Sequence, residues 1–344
     1  MESKLKRIIK SVFPPSTRMV DARLTEEREF SEAARRRLKE ELSGGIDVLR
    51  REMAMMYVDS FGAELECAYD EVPSLVEGVS APLVVSVATY GPRAAYSAPM
   101  LQSLLRQSFK PDAVLLWIPR RDFPLGLAGL PIEVLYSVKA LGAKIVWVDE
   151  DLGPHNKYYH VMRLMSQAIV VTLDDDTLYP ADHIQKLVEG GRRHPGCVIA
   201  ARTHIMGFSE DGSVANYLDW EEEQSRIVDT PSRLLVPTGV GGVLYPPKCL
   251  DGDVFDSEAI RKLCLYADDM WLKVMSALAG TEVVDIGGGF ELLHAEGTQE
   301  NSLYHENKDA GGNDRQLSAI IEFLERRGRL SGLIEWLRRE PSDE

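Results

Sequence analysis

A chain of 344 residues with a formal net charge of −15 is long enough for one large domain or two smaller ones around a buried core. Its 44% hydrophobic and 27% charged residues are those of a globular protein, not of a disordered or fibrous one. The acidic balance excludes non-specific nucleic-acid binding, which needs clustered Lys and Arg to displace counterions. Cys67, Cys197, Cys249 and Cys264 are widely spaced with no CxxC pair. That usage suits a reducing compartment and offers neither a zinc site nor a disulfide framework. No apolar run approaches the ~20 residues that span a bilayer, and the N-terminus has no long apolar leader core. The expected location is the cytoplasm.

Residues 1–80 read as a polar, helical extension. The opening KLKRIIKSVF sets Leu5, Ile8, Ile9, Val12 and Phe13 on one helical face, with Lys4, Lys6, Arg7 and Lys10 around it. Such a face suits peripheral contact of residues 1–13 with an anionic membrane, or docking on the chain's own domain. Pro14-Pro15 stops it. TEEREFSEAARRRLKEELSGGIDVLRREMAMMYVDSF is then a long helical pattern dense in Glu and Arg, expected to break at Gly44-Gly45. Helix packing, or self-association into a homo-oligomer, accounts for it without chemistry.

From residue 81 the texture changes. APLVVSVATYGPR, PDAVLLWIP, the second half of LYSVKALGAKIVWVDEDLG, and QAIVVTLDDD are apolar, β-branched runs. SAPMLQSLLRQSF, LYSVKALG and HNKYYHVMRLMS carry a helical period between them. The alternation predicts βαβ units in a mostly parallel sheet, and runs that are apolar throughout predict helices on both faces. Ligands of such sheets bind beyond the carboxyl ends of the strands. That singles out Thr89, Tyr90 and Arg93, then Asp149, then the triplet Asp174, Asp175 and Asp176.

Downstream, ADHIQKLVEGG is expected to be a helix closed by its glycines, HPGCVIAAR a strand, and NYLDWEEEQS a loop entering a helix. RLLVPTGVGGVLYPP combines a strand with a glycine turn, and LYADDMWLKVMSALAG is an amphipathic helix opened by two aspartates. TEVVDIGGGFELLH reads as a late strand pair, and RQLSAIIEFLERRGRLSGLIEWL as one or two closing helices. The stretch before them, residues 296–313, is polar with little reason to fold by itself. No repeat or separating linker interrupts residues 81–330.

Four groups of residues could carry chemistry. On an extended backbone Asp174 and Asp176 would share a side and Asp175 would face away. Two carboxylates about 5–6 Å apart repel by roughly 3 kcal/mol at an effective dielectric near 20; a divalent cation reverses that sign. Few ligands, all oxygen, suit Mg²⁺ or Mn²⁺, although a helix cap and a solvated turn would also use aspartates here. No GxGxxG or GxxxxGK[ST] follows a strand, so dinucleotide and P-loop readings lack their phosphate cradle. Asp268 and Asp269 open a helix, where the dipole alone favours carboxylates, or one of them is a general base. Gly239, Gly241 and Gly242 permit either a ligand's close approach or merely a tight turn. In DEDLGPHNKYYH, Lys157 could neutralise a diphosphate, with His155 and His160 nearby.

Taken in order, SVATYGPR, DLGPHNKY, LDDDTLYP, PTGVGGVLYPP and ADDMWL resemble the nucleotide-sugar-dependent glycosyltransferases of GT-A fold, in particular bacterial family-two-like enzymes. The resemblance covers about residues 82–317. It implies a Rossmann-like, mixed but mostly parallel sheet flanked by helices, with an N-terminal helical extension and a C-terminal helix. The implied division is an extension over 1–80, a catalytic domain over 81–330 with a nucleotide part at 81–176 and an acceptor part at 177–317, and a tail at 331–344. Asp174 and Asp176 match the DxD motif, with Asp176 the direct metal ligand. Thr89, Tyr90, Arg93, Asp149 and Asp175 fall on the donor side and Lys157 near the diphosphate. Gly241 and Gly242 fall beside the donor sugar and acceptor, and His294 where a late histidine completes some metal sites. Asp269 matches the second acidic residue of the family's ED motif, the base of inverting members; Asp268 stands where Glu is common, which leaves open which of the two is the base.

The implied activity is metal-dependent transfer of a sugar from a nucleoside-diphosphate-sugar donor to a saccharide or lipid-linked acceptor hydroxyl, with inversion, in bacterial polysaccharide or glycoconjugate synthesis. Residues 296–313 would order over the donor and exclude water. The alternatives are a sugar-phosphate nucleotidyltransferase, against which stands the lack of a glycine-rich basic triphosphate loop, and a non-catalytic nucleotide-sugar-binding partner, against which stand intact acidic motifs.

Overall fold

The computed structural model describes residues 17–287, 293–294 and 311–339; many side chains between 17 and 42, and that of His294, fall outside the description. The basic segment 1–13 and most of the polar stretch 296–313 also lie outside the described residues. The strands are β1 (Leu83–Ala88), β2 (Ala113–Pro119), β3 (Lys144–Val148), β4 (Ile169–Leu173), β5 (Thr177–Leu178), β6 (Val198–Ala200), β7 (Thr203–Ile205), β8 (Leu235–Pro237), β9 (Val243–Tyr245), β10 (Val283–Asp285) and β11 (Leu293–His294). The helices are α1 (Thr17–Leu65), α2 (Ser97–Leu105), α3 (Ile132–Leu141), α4 (Asn156–Leu164), α5 (His183–Arg193), α6 (Ser257–Leu263), α7 (Asp268–Leu278), α8 (Gly312–Arg326) and α9 (Leu330–Arg338).

Seven strands form one sheet in the order β10-β6-β9-β4-β1-β2-β3. Strands β1 to β4 are mutually parallel, with Ser86 opposite Leu115 on one side and Thr172 on the other. Strand β9 enters antiparallel between β4 and β6, and β10 lies parallel to β6. This is the mixed, mostly parallel α/β sheet that the alternation of apolar runs and helical periods predicts. Both faces are covered, which explains why β1, β2 and β4 are apolar along their length. Val85, Val87, Leu116 and Ile118 pack on one face with Leu101 and Leu135, from α2 and α3. Val84, Leu115, Trp117 and Val170 pack on the other with Val161 of α4 and with Val72 and Val76 from the 3₁₀ segment Tyr69–Val76. A third cluster joins Trp271 and Met275 of α7 to Ile320 and Leu324 of α8 and Leu333 and Leu337 of α9.

Four expectations about elements change. Helix α1 runs unbroken through Gly44 and Gly45. Nothing lies within 4 Å of where their Cβ atoms would be, so they cost helix propensity, about 1 kcal/mol each, without ending the helix. Helix α5 likewise continues past Gly190 and Gly191 to Arg193. A Cβ on Gly190 would sit 2.7 Å from Ile286 and 2.8 Å from Ile199; this glycine serves a close helix–sheet approach, not a cap. The acidic segment around Trp220 makes a 3₁₀ turn, Tyr217–Asp219, and an isolated bridge from Glu221 to Ile205, with no helix after it. The late strands do not pair with each other: β10 joins β6, and β11 joins β5.

The central strands predict their own cost of disruption. Leu116→Ala should destabilise by about 2–5 kcal/mol, because Leu116 is fully buried in β2. Val48→Ala, on the exposed side of α1, should change stability by no more than about 0.5 kcal/mol. Urea midpoints of the two variants against the parent protein provide the check.

Candidate functional site

The strand that ends at Leu173 delivers the three aspartates into a turn. The Tyr179 hydroxyl accepts from Asp174 N at 2.9 Å and donates to Val240 O at 3.3 Å, tying the turn to the glycine segment. Because the backbone turns, the side chains do not alternate as an extended strand would place them. Asp175 is buried, accepting from Thr89 Oγ1 at 2.6 Å and from Arg93 Nη2 at 2.7 Å. Arg93 Nη2 also lies 2.8 Å from Asp176 Oδ2. Asp175 and Asp176 therefore share Arg93, and Asp174 has a different partner. Burial opposes the charge on Arg93, yet Asp175 and Asp176 hold its guanidinium well above its ordinary range. Burial raises the Asp175 carboxyl in spite of Arg93 and Thr89.

Asp174 belongs with the other half of the site. Lys157 Nζ donates to Asp174 Oδ1 at 2.8 Å and stands 2.9 Å from Asp268 Oδ2. The second contact is an ion pair by distance and poorly aligned as a hydrogen bond. Burial disfavours the ammonium, but Asp174 and then Asp268 raise its pKa well above the usual lysine value. Asp268 is depressed: burial works against its charge, and the ammonium of Lys157 overcomes it. Asp269 accepts from Gly239 N on both oxygens, at 3.0 and 3.1 Å, and no ion pair reaches it among the described residues. Burial and the neighbouring Asp268 push its carboxyl up to about 7.

Local structure explains why these groups meet. A 3₁₀ turn, Gly153–His155, leads into α4 and points Lys157 inward. A carbonyl can only accept, so His155 Nε2–H donates to Cys264 O at 2.8 Å and Nδ1 accepts from the Tyr158 hydroxyl at 2.7 Å. Burial lowers this imidazole to about 4, which keeps it neutral. His155 thus ties the start of α4 to the turn that precedes Asp268. His160 instead bonds Tyr69 and Asn156 and stacks on Trp117. A Cβ on Gly239 would sit 2.6 Å from Lys157 Nζ, 3.1 Å from Asp269 Oδ1 and 3.3 Å from Asp174 Oδ1. The space beside Gly241 and Gly242 is filled instead by Arg202, and by His183 and Leu173. Gly242 also has φ +78°, which L side chains rarely adopt. Of the three glycines, Gly239 is the one whose side-chain space borders the carboxylates.

Other candidates stand further out. Tyr90 is half-exposed at the exit of β1. Asp149, with its side chain 91% exposed, makes a 3.4 Å ion pair with Arg120 at the exit of β3. His294 pairs by its backbone with Thr177, one residue beyond the triplet, and its side chain lies outside the described residues. Among the described residues no group of three or more His, Cys, Asp and Glu side chains forms a complete metal-binding set. Asp174 and Asp176 each keep a second oxygen that their ion pairs do not use. Hard oxygen donors of this number fit Mg²⁺ or Mn²⁺ held by one or two carboxylates, with water and a ligand's phosphates completing the shell. Sequence reasoning missed Tyr179 and the role of His155. Tyr179 lies inside LDDDTLYP, but an aromatic after a strand gives no signal of a long-range hydrogen bond.

Comparison with known proteins gives distant likenesses. No protein-family model matches the chain, and no curated protein sequence matches it. Among solved structures it is similar to S. aureus TarS 1–349 in complex with UDP, with 17% identity over 59% of this chain and 58% of that one, TM-score 0.38. It is similar to the mannosyltransferase PcManGT from Pyrobaculum calidifontis in complex with GDP-Man and Mn²⁺, with 13% identity over 83% and 80% of the two chains, TM-score 0.43. HddC from Yersinia pseudotuberculosis matches with 12% identity over 51% and 79%, TM-score 0.32. The chain spans less than two thirds of the length of the TarS chains it matches. Likeness at this distance assigns no activity and no residue's role. Among the described residues no helix is long and apolar enough to cross a membrane.

The two halves of the site should respond differently to mutation. Asp175→Ala leaves Arg93 with Asp176 alone and Thr89 Oγ1 without its acceptor, and should cost about 1–3 kcal/mol. Asp269→Asn carries a pH signature. A carboxyl raised from 3.8 to about 7 means that the folded state holds this proton more tightly than the unfolded chain. Ionisation there costs stability progressively as pH climbs from about 4 to 7, and costs nothing below that window, where both states are protonated. The stability of Asp269→Asn relative to the parent should therefore rise across that window and level off above it. A difference in urea midpoints that stays flat with pH would contradict the assignment.

Proposed function

We propose that this chain is a metal-dependent, inverting glycosyltransferase that moves a sugar from a nucleoside-diphosphate-sugar to an acceptor hydroxyl, in the synthesis of a bacterial polysaccharide or glycoconjugate. The observation that carries the reading is a convergence. Lys157, Asp174, Gly239, Asp268 and Asp269, which come from four separate stretches of the chain, meet within contact distance beside the carboxyl end of β4. They are four of the five stretches on which the resemblance to GT-A glycosyltransferases rests. Their meeting place is where a mostly parallel sheet binds its ligands.

Within this reading the two adjacent aspartates have separate roles. Asp269 is the base. It has no ammonium or guanidinium partner among the described residues, it is oriented by the Gly239 N–H, and its carboxyl titrates near neutral pH, the range in which a general base is most effective. Asp268 stays ionised against Lys157 and serves as that ammonium's anchor. The attacking hydroxyl delivers its proton to a carboxylate oxygen of Asp269 as its own oxygen bonds to the anomeric carbon on the face opposite the leaving group. Arg93 holds Asp175 and Asp176 in place, and Thr89 fixes Asp175 from β1's exit. A divalent cation held by Asp174 and Asp176 would neutralise charge developing on the departing nucleoside diphosphate. The rival nucleotidyltransferase reading would use the same carboxylates, but it predicts release of pyrophosphate from a sugar phosphate and a nucleoside triphosphate.

A panel of nucleotide sugars scored by calorimetry with and without Mn²⁺, and for slow hydrolysis, tests the reading without an acceptor. Metal-dependent binding of at least one donor is expected. Asp269→Asn should retain donor binding and lose turnover by about 10²- to 10⁴-fold. In the parent protein, kcat/KM should rise with pH to a plateau above about 7. Undiminished turnover in Asp269→Asn, or a rate that is flat through that pH range, would sink the assignment of the base.

A further inference from the structure

Lys157 is placed as if the site already contained a cation. Its side chain is 7% exposed, and its two carboxylate partners differ: Asp174 is 29% exposed and Asp268 is 10% exposed. The hydrogen bond goes to Asp174, the wetter partner. Asp268 Oδ2, only 2.9 Å away, is buried and meets no well-aligned donor among the described residues. The ammonium thus aligns on the accessible carboxylate while staying in ion-pair contact with the buried one. The three N–H donors of an ammonium turn freely on a flexible stem, and the backbone of α4 is tethered by His155 to Cys264 O. A shift from Asp174 to Asp268 therefore needs rotation about side-chain bonds only. Gly239 keeps that space open: a methyl group there would sit 2.6 Å from Nζ.

We propose that Lys157 is an internal counter-ion that competes with an incoming divalent cation for Asp174, and that Asp268 is the carboxylate onto which the ammonium withdraws. The inference rests on the metal-dependent reading above and adds to it an exchange. Before metal enters, Lys157 neutralises Asp174 and holds the cluster together. When a cation takes Asp174, the ammonium aligns on Asp268 Oδ2, the partner it already touches at 2.9 Å. Two positive charges then stand side by side only because each has its own carboxylate. Asp268, on this account, aids metal binding through Lys157 and not as a ligand.

Mn²⁺ alone is the probe, with the free ion followed by electron paramagnetic resonance and near-UV circular dichroism confirming the fold of each variant. Lys157→Met should bind Mn²⁺ about tenfold more tightly than the parent, because a competing charge at contact distance is gone. Lys157→Gln, which is neutral but keeps a hydrogen-bond donor on a slightly shorter stem, should behave alike and covers the case in which the methionine variant does not fold. Lys262→Met removes an exposed lysine paired with Glu258 and should leave Mn²⁺ affinity unchanged. A double-mutant cycle separates exchange from simple charge. Asp268→Asn should weaken Mn²⁺ binding in the parent and have no such effect in the Lys157→Met background. Unchanged or weaker binding in both Lys157 variants overturns the proposal, as does an equal loss from Asp268→Asn in the two backgrounds. Donor binding measured in the same samples keeps the outcomes apart. A nucleotide sugar bound without any uptake of Mn²⁺ removes this proposal and the metal but leaves the transferase. Competition for Mn²⁺ without binding of any nucleotide sugar removes the transferase and leaves the exchange.

Discussion

A lysine ammonium almost wholly out of water is tolerable only with carboxylates at contact distance, because the cost of desolvating a lone charge would otherwise neutralise it. Lys157 meets that condition with Asp174 from the end of β4 and Asp268 from the start of α7. The rest of the site is organised around this contact. It joins the end of β4, in the parallel half of the sheet, to the start of α7. It depresses Asp268 and leaves the adjacent Asp269 to bear the effect of burial and of a charged neighbour. Two consecutive aspartates thereby acquire different protonation behaviour from one lysine.

A second cation settles the rest of the acidic cluster. Arg93 takes Asp175 and Asp176, so the triplet is divided between two positive groups instead of being left to repel itself. The division follows from the turn after Leu173. An extended backbone would have paired Asp174 with Asp176; a turn lets Asp175 point back to Thr89 at the exit of β1. Arg93 with its planar fork suits two neighbouring carboxylates, and Lys157, a compact charge on a flexible stem, suits partners from different elements. The rigid half and the adjustable half of the site are thus built from the two kinds of cation best fitted to each.

The glycines show how the same residue type serves unlike purposes. Gly44 and Gly45 stand in an open helix where nothing requires them, and α1 passes through. Gly190 lets α5 lie against Ile199 and Ile286. Gly239 leaves room for an ammonium and two carboxylates, whereas Gly241 accommodates Arg202 and Gly242 accommodates His183 and Leu173. A glycine in a sequence states that a side chain is absent; the surrounding packing states what stands in its place.

The order of residue types is enough to specify the sheet and its ligand edge. Continuous apolar runs such as LVVSVA and AVLLWIP alternating with helical periods can be satisfied only by parallel strands covered on both faces, and the polar residues after those strands have to lie at one edge. Local spacing also marks Asp174 to Asp176, Lys157 and Asp268-Asp269 as the charged groups worth attention. How those charges pair is a property of the folded chain. Arg93 with Asp175, Lys157 with Asp174 and Asp268, Gly239 with Asp269, and His155 with Cys264 are contacts between residues 17 to 111 positions apart. No period of 2 or 3.6 residues encodes such a distance. Electrostatic partnership depends on separation in space and on burial, and both exist only once the chain has folded.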